Sequence, residues 1–255
     1  MGVKKRHMAI KIRKTDYVPG TYAKKRPDSA QLAGQYIREW ENKRLKAKAK
    51  EPFPSEIFPA ICFSRKIGVG ALEVADILAD KINFQVVDRE IIDYMAKDAK
   101  LSKETVSFFD ERYPGKMIEL SAMLFGEKSF IMSDYIRSFI STVFTLADME
   151  STIFVGRGTH LVLPRDRVLA VRFICSEEHR IQRLAKFLDL GEKEATKLLG
   201  KFDKEQHDFF KKAFGEKEAS PYEFDMVINC DYITDPHGAA EIVARAYEEK
   251  FISEK

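Results

Sequence analysis

Five short, largely apolar runs, each followed by a polar turn and a stretch of helical periodicity, constrain this chain more than any other feature. They are Ile57–Phe63, Phe84–Val87, Thr152–Val155, Val168–Ile174 and Phe224–Asn229. Runs that are apolar with little alternation suit strands buried on both faces, and the intervening helices supply the covers. The segment 72–82 shows such a cover directly, because Leu72, Ala75, Leu78, Ala79 and Ile82 fall on one helical stripe. The expected architecture is therefore α/β: three layers, α/β/α, around a five-stranded parallel sheet. Further helices are expected over 90–99 and 239–251. Residues 101–150, interrupted at Pro114, Gly115 and Gly126, read as a helical insertion rather than sheet.

Upstream of the first strand the pattern differs. Residues 1–27 read as irregular, with Pro19, Gly20 and Pro27 as breakers, and Asp28 or Ser29 caps a helix running to about Lys50 whose apolar positions are Leu32, Tyr36, Trp40 and Leu45. Pro52, Pro54 and Pro59 mark a linker, so residues 1–52 are expected to be an arm with one helix and 53–255 the body. Charge divides at the same place. The arm carries 15 Lys and Arg against 5 Asp and Glu, a net +10 that leaves the remaining residues at −7 within the overall +3. Such an arm can touch nucleic acid, but charged tails more often lie solvated or fold back on an oppositely charged body, and the few aromatics here do not interleave with the charges. Nucleic acid is thus an unlikely partner on sequence grounds.

No apolar run approaches the roughly 20 residues that span a bilayer, and the first residues lack the apolar stretch of a secretory signal, so no membrane partner and a cytoplasmic location are expected. Cys62, Cys175 and Cys230 lie at or near the ends of strand-like runs and read as buried reduced thiols. The five histidines show no paired ligand spacing, and no metal held by the protein alone is expected.

In a parallel sheet, ligands gather at the carboxyl ends of the strands. The residues there are Ser64, Arg65, Lys66, Gly68 and Gly70 after the first strand, and Asp88, Arg89 and Glu90 after the second. Gly156, Arg157 and Gly158 follow the third, and Asn229, Cys230 and Asp231 the fifth. Glycines, cations and a few carboxylates suit a phosphorylated ligand. In Ser64–Ala71, SRKIGVGA, Gly68 and Gly70 let the backbone take positive φ and approach a phosphate, and the first amides of the next helix offer unpaired donors. The same glycines also serve an ordinary strand-to-helix turn. The turn is not a dinucleotide fingerprint, because Glu73 stands where its third glycine belongs. Nor is it a complete P-loop, because Ala71 and Leu72 occupy the positions of the lysine and the hydroxyl residue.

The runs ICFSRKIGVGALEVADILADKINFQVVDREII, IFVGRGTHLVLP, VRFICSEEHRIQRLAK, KFDKEQHDFF and FDMVINCD, in this order, resemble the cytidylate kinase-like family, a branch of the P-loop nucleoside-monophosphate kinases. The resemblance covers roughly Pro59 to Tyr247. It implies a P-loop kinase-like fold with a lid over about 178–220, nucleotides as partners, and ATP with Mg2+ as cofactors. It implies that Ser64, Lys66, Gly68, Gly70 and Ala71 hold the donor phosphates, with Arg65 replacing the missing lysine. Arg180 and Arg183 match lid arginines that close over the transferring phosphate. Asp88, Arg157 and Asp203 match positions on the acceptor side. On the residues alone, Asp88 and Asp203 equally suit helix caps, Arg180 and Arg183 a solvated helix face, and Arg157 a structural turn.

The chain departs from the family pattern at Ala71 and Leu72, at Gly158 where the GRD motif has its aspartate, and at Gln206 where an arginine follows the Asp203 position. Two functions are thereby expected. One is a phosphotransferase that moves the γ-phosphate of a nucleoside triphosphate to a nucleoside monophosphate or similar small acceptor. The other is a nucleotide sensor that binds without turnover.

Overall fold

The computed structural model describes residues 10–12, 15–17, 20, 22, 28–47, 57–125, 133–215 and 220–253. Strands β1 (Ile10–Ile12) and β2 (Thr15–Tyr17) form an antiparallel pair with Ile10 opposite Tyr17. This corrects the expectation of irregular chain over 1–27. The β-branched residues Ile10, Ile12 and Thr15 favour extended backbone, and the proline and glycine that suggested irregularity lie beyond the pair. Helix α1 (Ser29–Ala47) starts where Asp28 accepts from the Ala30 amide at 3.1 Å. Ala33 is fully buried and the Tyr36 hydroxyl donates to the Val86 carbonyl at 3.4 Å, so the helix packs on the body. The side chains of Trp40 and Leu45, residues 48–50 and most of the expected linker (51–56) lie outside the described residues.

The body alternates as expected: β3 (Ala60–Arg65), α2 (Ala71–Ile82), β4 (Gln85–Asp88), α3 (Arg89–Lys97), α4 (Ala99–Arg112), α5 (Lys116–Phe125), α6 (Asp134–Met149), β5 (Thr152–Val155), β6 (Val168–Ile174), α7 (Glu177–Leu188), α8 (Glu192–Phe214), β7 (Met226–Asn229) and α9 (Pro236–Phe251). The five strands β3–β7 are parallel in the order β4-β5-β3-β6-β7. From central β3 the chain builds first toward one edge and then toward the other, which places a crevice at the carboxyl end of β3.

Alternation along the strands sorts the core into two layers. Ile61, Phe63, Ile153, Val155, Leu169, Val171 and Phe173 face α2 and α9, whereas Ala60, Cys62, Phe154 and Ala170 face the layer of α1, α3 and α6. The expected insertion is α4, α5 and α6. Helix α6 is buried along most of its length because it lies between the sheet and α3 and α4.

Three strands differ from expectation, the second only by a shift of one residue, to Gln85–Asp88 from Phe84–Val87. The first strand was read as Ile57–Phe63 but begins at Ala60, since Pro59 has no amide to donate, and it continues through Ser64 and Arg65, paired with Arg172 and Phe173 of β6. The last begins at Met226 rather than Phe224. Asp225 precedes it, with its backbone amide on the Ala170 carbonyl and its carboxylate held by the Ala170 amide, Arg165 and Lys250.

Candidate nucleotide site

The turn after β3 is shorter than the sequence suggested. Ser64 and Arg65 belong to the strand and Ala71 to α2, which leaves Lys66–Gly70 as the turn. Gly68 and Gly70 have φ of 89° and 91°, a region that side chains rarely enter. A Cβ on Gly68 would lie 3.1 Å from the Arg180 carbonyl oxygen, and one on Gly70 would lie 3.2 Å from the Arg183 guanidinium carbon. Torsion therefore favours glycine at both, and at Gly68 the close backbone of Arg180 does so as well. Asp88, Asp98, Ser133, Ser176 and Asp235 cap α3, α4, α6, α7 and α9 with side-chain oxygens, but α2 starts at Gly70 with no side-chain cap. Its first amides and dipole are open to an anionic group at the crevice. Lys66 is exposed on the turn, and Ile67 is buried against Leu184, Leu199 and Phe202 of α7 and α8.

The segment expected as a lid, about 178–220, covers α7 and α8. Arg180, buried, donates from Nε to the Ile67 carbonyl at 2.7 Å and grips Asp203 with both terminal nitrogens. Asp203 sits in the middle of α8, so it is not a cap. Arg183 lies over Gly70 and pairs with Glu73, in the first turn of α2. Thus Arg180 fixes the back of the turn and Arg183 overhangs its open face.

Arg65 occupies the end of β3, with its guanidinium packed against Gly156 and against Gly20 of the N-terminal segment. A Cβ on Gly20 would lie 2.8 Å from Arg65 Nη2. The same segment is anchored on α2 by the Tyr22 hydroxyl, which donates to Asp76 at 2.6 Å. Ser64 is buried on the sheet and accepts from Arg172 Nη1 at 2.6 Å. Burial lowers the pKa of Arg172 from the ordinary arginine value, with Glu223 opposing.

On the other side of the crevice, Asp88 caps α3 by accepting from the amides of Glu90 and Ile91 at 3.0 and 3.2 Å. Arg157, at φ 58°, reaches Asp93 of α3 through Nε at 3.0 Å and through Nη2, and its guanidinium stacks on Phe209 of α8 at 4.0 Å. Tyr135 donates to the same carboxylate at 2.9 Å. Burial raises the Glu90 carboxyl above the usual carboxylate range despite Arg89 beside it. Gly158, the position of the missing GRD aspartate, has φ 68°, and a Cβ there would meet the Phe214 ring at 2.6 Å. No acidic side chain fits while Phe210 and Phe214 fill that space. Gln206 replaces the expected arginine with a neutral bond, donating to the Arg65 carbonyl at 2.7 Å.

The structure thus brings Gly68, Gly70, Arg180, Arg183 and Asp203 into one group and Asp88 and Arg157 into another, with Arg65 between them. Sequence reasoning missed Asp93, Glu73, Tyr135 and Phe209. Asp93 carried a signal, since it lies within two turns of Asp88 on a helix that starts at the carboxyl edge. Glu73, three residues after Gly70, was noted only as a departure from the dinucleotide fingerprint, whereas Tyr135 and Phe209 lie on elements that only the fold brings to the crevice.

Among the described residues magnesium finds no ligand set. Leu72 offers no hydroxyl, Glu73 is engaged by Arg183, and no group of three His, Cys, Asp or Glu among the described residues is arranged to hold a metal ion. No helix among them is long and apolar enough to cross a membrane.

Residues 60–232 match the sequence pattern of the cytidylate kinase-like family. No curated protein matches the chain. Among solved structures, an uncharacterized protein from Eubacterium ventriosum superposes with a TM-score of 0.58 at 20% identity, covering 74% of this chain and 98% of the other. A shikimate kinase from Bacteroides thetaiotaomicron gives 0.37 at 13% identity over 74% and 96%, and a dephospho-CoA kinase from Campylobacter jejuni 0.33 at 13% over 76% and 98%.

Proposed function

Since the chain belongs to the cytidylate kinase-like family, we propose that it transfers the γ-phosphate of a nucleoside triphosphate such as ATP to a nucleoside monophosphate or a similar small acceptor. One observation carries the reading: two glycines at positive φ open the uncapped N-terminus of α2, and Arg183 overhangs the second of them. The α2 amides bind the donor phosphates, and Lys66 and Arg183 add charge from either side. Phosphoryl transfer needs positioning and charge neutralisation rather than a covalent enzyme group. Arg183 supplies this by leaving Glu73 for the phosphate. Arg180, tied to Asp203 and Ile67, holds the turn in shape. Arg157, oriented by Asp93 and Phe209, presents a cation to the acceptor phosphate, and Asp88 keeps the start of α3 beside it. Arg65 contributes positive potential at the strand end. Packing of α7 on the turn excludes water that would otherwise compete as acceptor. Magnesium enters this scheme as the companion of the triphosphate, since the described residues offer it no ligand set.

A second reading is a nucleotide-binding sensor without turnover. It is favoured because the arginines nearest the crevice already hold carboxylates: Arg183 with Glu73, Arg180 with Asp203 and Arg157 with Asp93. A coupled assay across nucleoside monophosphates and small phosphate or hydroxyl acceptors, run beside calorimetry with ATP, separates the two. Turnover with any acceptor supports the transferase, and binding without turnover selects the sensor. Absence of both from folded protein overturns the nucleotide site itself.

A further inference from the structure

Cys175 and Cys230 leave the sheet side by side. Ile174 of β6 pairs with Asn229 of β7, and the Cys230 amide extends that ladder by donating to the Ile174 carbonyl at 2.8 Å. One residue further, the Ser176 amide and hydroxyl both donate to the Asp231 carboxylate, at 2.7 and 2.9 Å. The two cysteines are therefore bracketed by bonds between the same two segments, those leaving β6 and β7. They also face the same side. Phe173 and Ile228 point into the layer of α2 and α9, and Cys175 and Cys230, two residues on, pack in that same cluster. Neighbouring strands run about 4.8 Å apart, within the about 4.4–6.8 Å between Cα atoms that a disulfide needs.

We propose that Cys175 and Cys230 form a reversible intramolecular disulfide, a modification site at the base of α7 that accepts oxidising equivalents from a hydroperoxide. Cys175, half-buried where Cys230 is buried, reacts first. Its thiolate attacks one oxygen of the peroxide, the O–O bond breaks, and the departing alkoxide takes a proton to leave as an alcohol, or as water from hydrogen peroxide. The Cys230 thiolate then attacks the resulting sulfenic sulfur. The S–O bond breaks, and hydroxide leaves and is protonated to water. Two electrons pass from the sulfurs to the O–O bond, and a dithiol such as dithiothreitol returns them.

The bond would join the residue preceding Ser176, the cap of α7, to the end of β7, and so tether the helix that carries Arg180 and Arg183. Burial pushes the Cys175 thiol up to about 11, with Cys230 and Asp231 adding and Arg180 and Arg183 opposing, and burial likewise raises Cys230. His179 lies 3.5 Å from Asp231. The reaction is therefore slow at neutral pH and quickens about tenfold per pH unit as thiolate accumulates.

Treating the full-length protein with hydrogen peroxide at pH 8 and measuring intact mass tests the proposal. The expected result is a loss of about 2 Da, the mass of two hydrogens, restored by dithiothreitol. Non-reducing tryptic mapping should link the peptide 173–180 to the peptide 218–245. Cys175→Ala and Cys230→Ala should each abolish the loss, and Cys62→Ala should retain it. The linked peptides in the wild type serve equally if a variant fails to fold. A linkage through Cys62, a bond between two chains, or sulfinic oxidation with no linked peptide would overturn the proposal.

Discussion

Arg180 and Arg183 are expected to respond oppositely to the same substitution. In Arg180→Met, the buried Ile67 carbonyl loses its donor, which costs about 1–3 kcal/mol for an unpaired buried acceptor. Asp203 loses its partner as well, but its side chain is 32% exposed and rehydrates, so that loss is nearer about 1 kcal/mol than the about 3–5 kcal/mol of a dry pair. Together these give about 3 kcal/mol, or a fall in Tm of about 6–12 °C for a domain of this size. Arg183 and Glu73 are 36% and 29% exposed, so Arg183→Met costs about 1 kcal/mol or less, and the Tm falls by no more than about 4 °C. Binding of ATP should follow the reverse order. Losing the Arg183 cation removes a charge-assisted contact of about 1.5–3 kcal/mol, a weakening of about tenfold to a hundredfold. Differential scanning fluorimetry and calorimetry on the two variants read both quantities. A Tm for Arg183→Met as low as that of Arg180→Met, or an Arg180→Met protein within about 2 °C of wild type, would refute the division of labour.

Asp93→Asn should destabilise the fold by about 3 kcal/mol in urea unfolding, because Arg157 is left with its charge largely out of water. In a double-mutant cycle with Arg157→Gln, the coupling should exceed about 1 kcal/mol, and additive losses would count against the pair. Gly158→Ala should cost about 1–3 kcal/mol, because its Cβ meets the Phe214 ring at a backbone φ of 68°; an unchanged urea midpoint would refute the clash. Burial alone would raise the Asp225 carboxyl, but Arg165, the Ala170 amide and Lys250 outweigh it and hold it below the ordinary value of 3.8. A depressed folded value means that this stabilisation is present above about pH 4 and is lost as pH falls through the folded value. Asp225→Asn should therefore lower stability at pH 7 and flatten the acid limb of a stability–pH profile.

The sheet was legible because continuous apolar runs can be buried in few ways, and β5 and β6 fall on the predicted ranges. The start of β3 was misplaced because an apolar run continues across Pro59, where the missing amide delays the ladder to Ala60, and its reach through Ser64 and Arg65 depended on a partner strand far along the chain. The glycine turn was readable, since positive φ leaves few alternatives to glycine. The partners of the charges were not. Arg180 meets Asp203, Arg183 meets Glu73, and Arg157 meets Asp93 across 23, 110 and 64 positions, separations at which side-chain pairing follows from packing rather than from local pattern.

Helix α8 gives these contacts a mechanical consequence. Along one continuous helix, Asp203 holds Arg180, Gln206 holds the end of β3, Phe209 carries the Arg157 guanidinium, and Phe214 closes against Gly158. The eleven steps from Asp203 to Phe214 advance about 16.5 Å at about 1.5 Å each, so α8 acts as a ruler whose marks are set against the glycine turn, the central strand and Arg157 at once. A single residue inserted between Asp203 and Gln206 would rotate one set of marks against the other by about 100°. The Gly68–Gly70 turn and the Arg157 side of the crevice would then lose registration together, although neither had been changed.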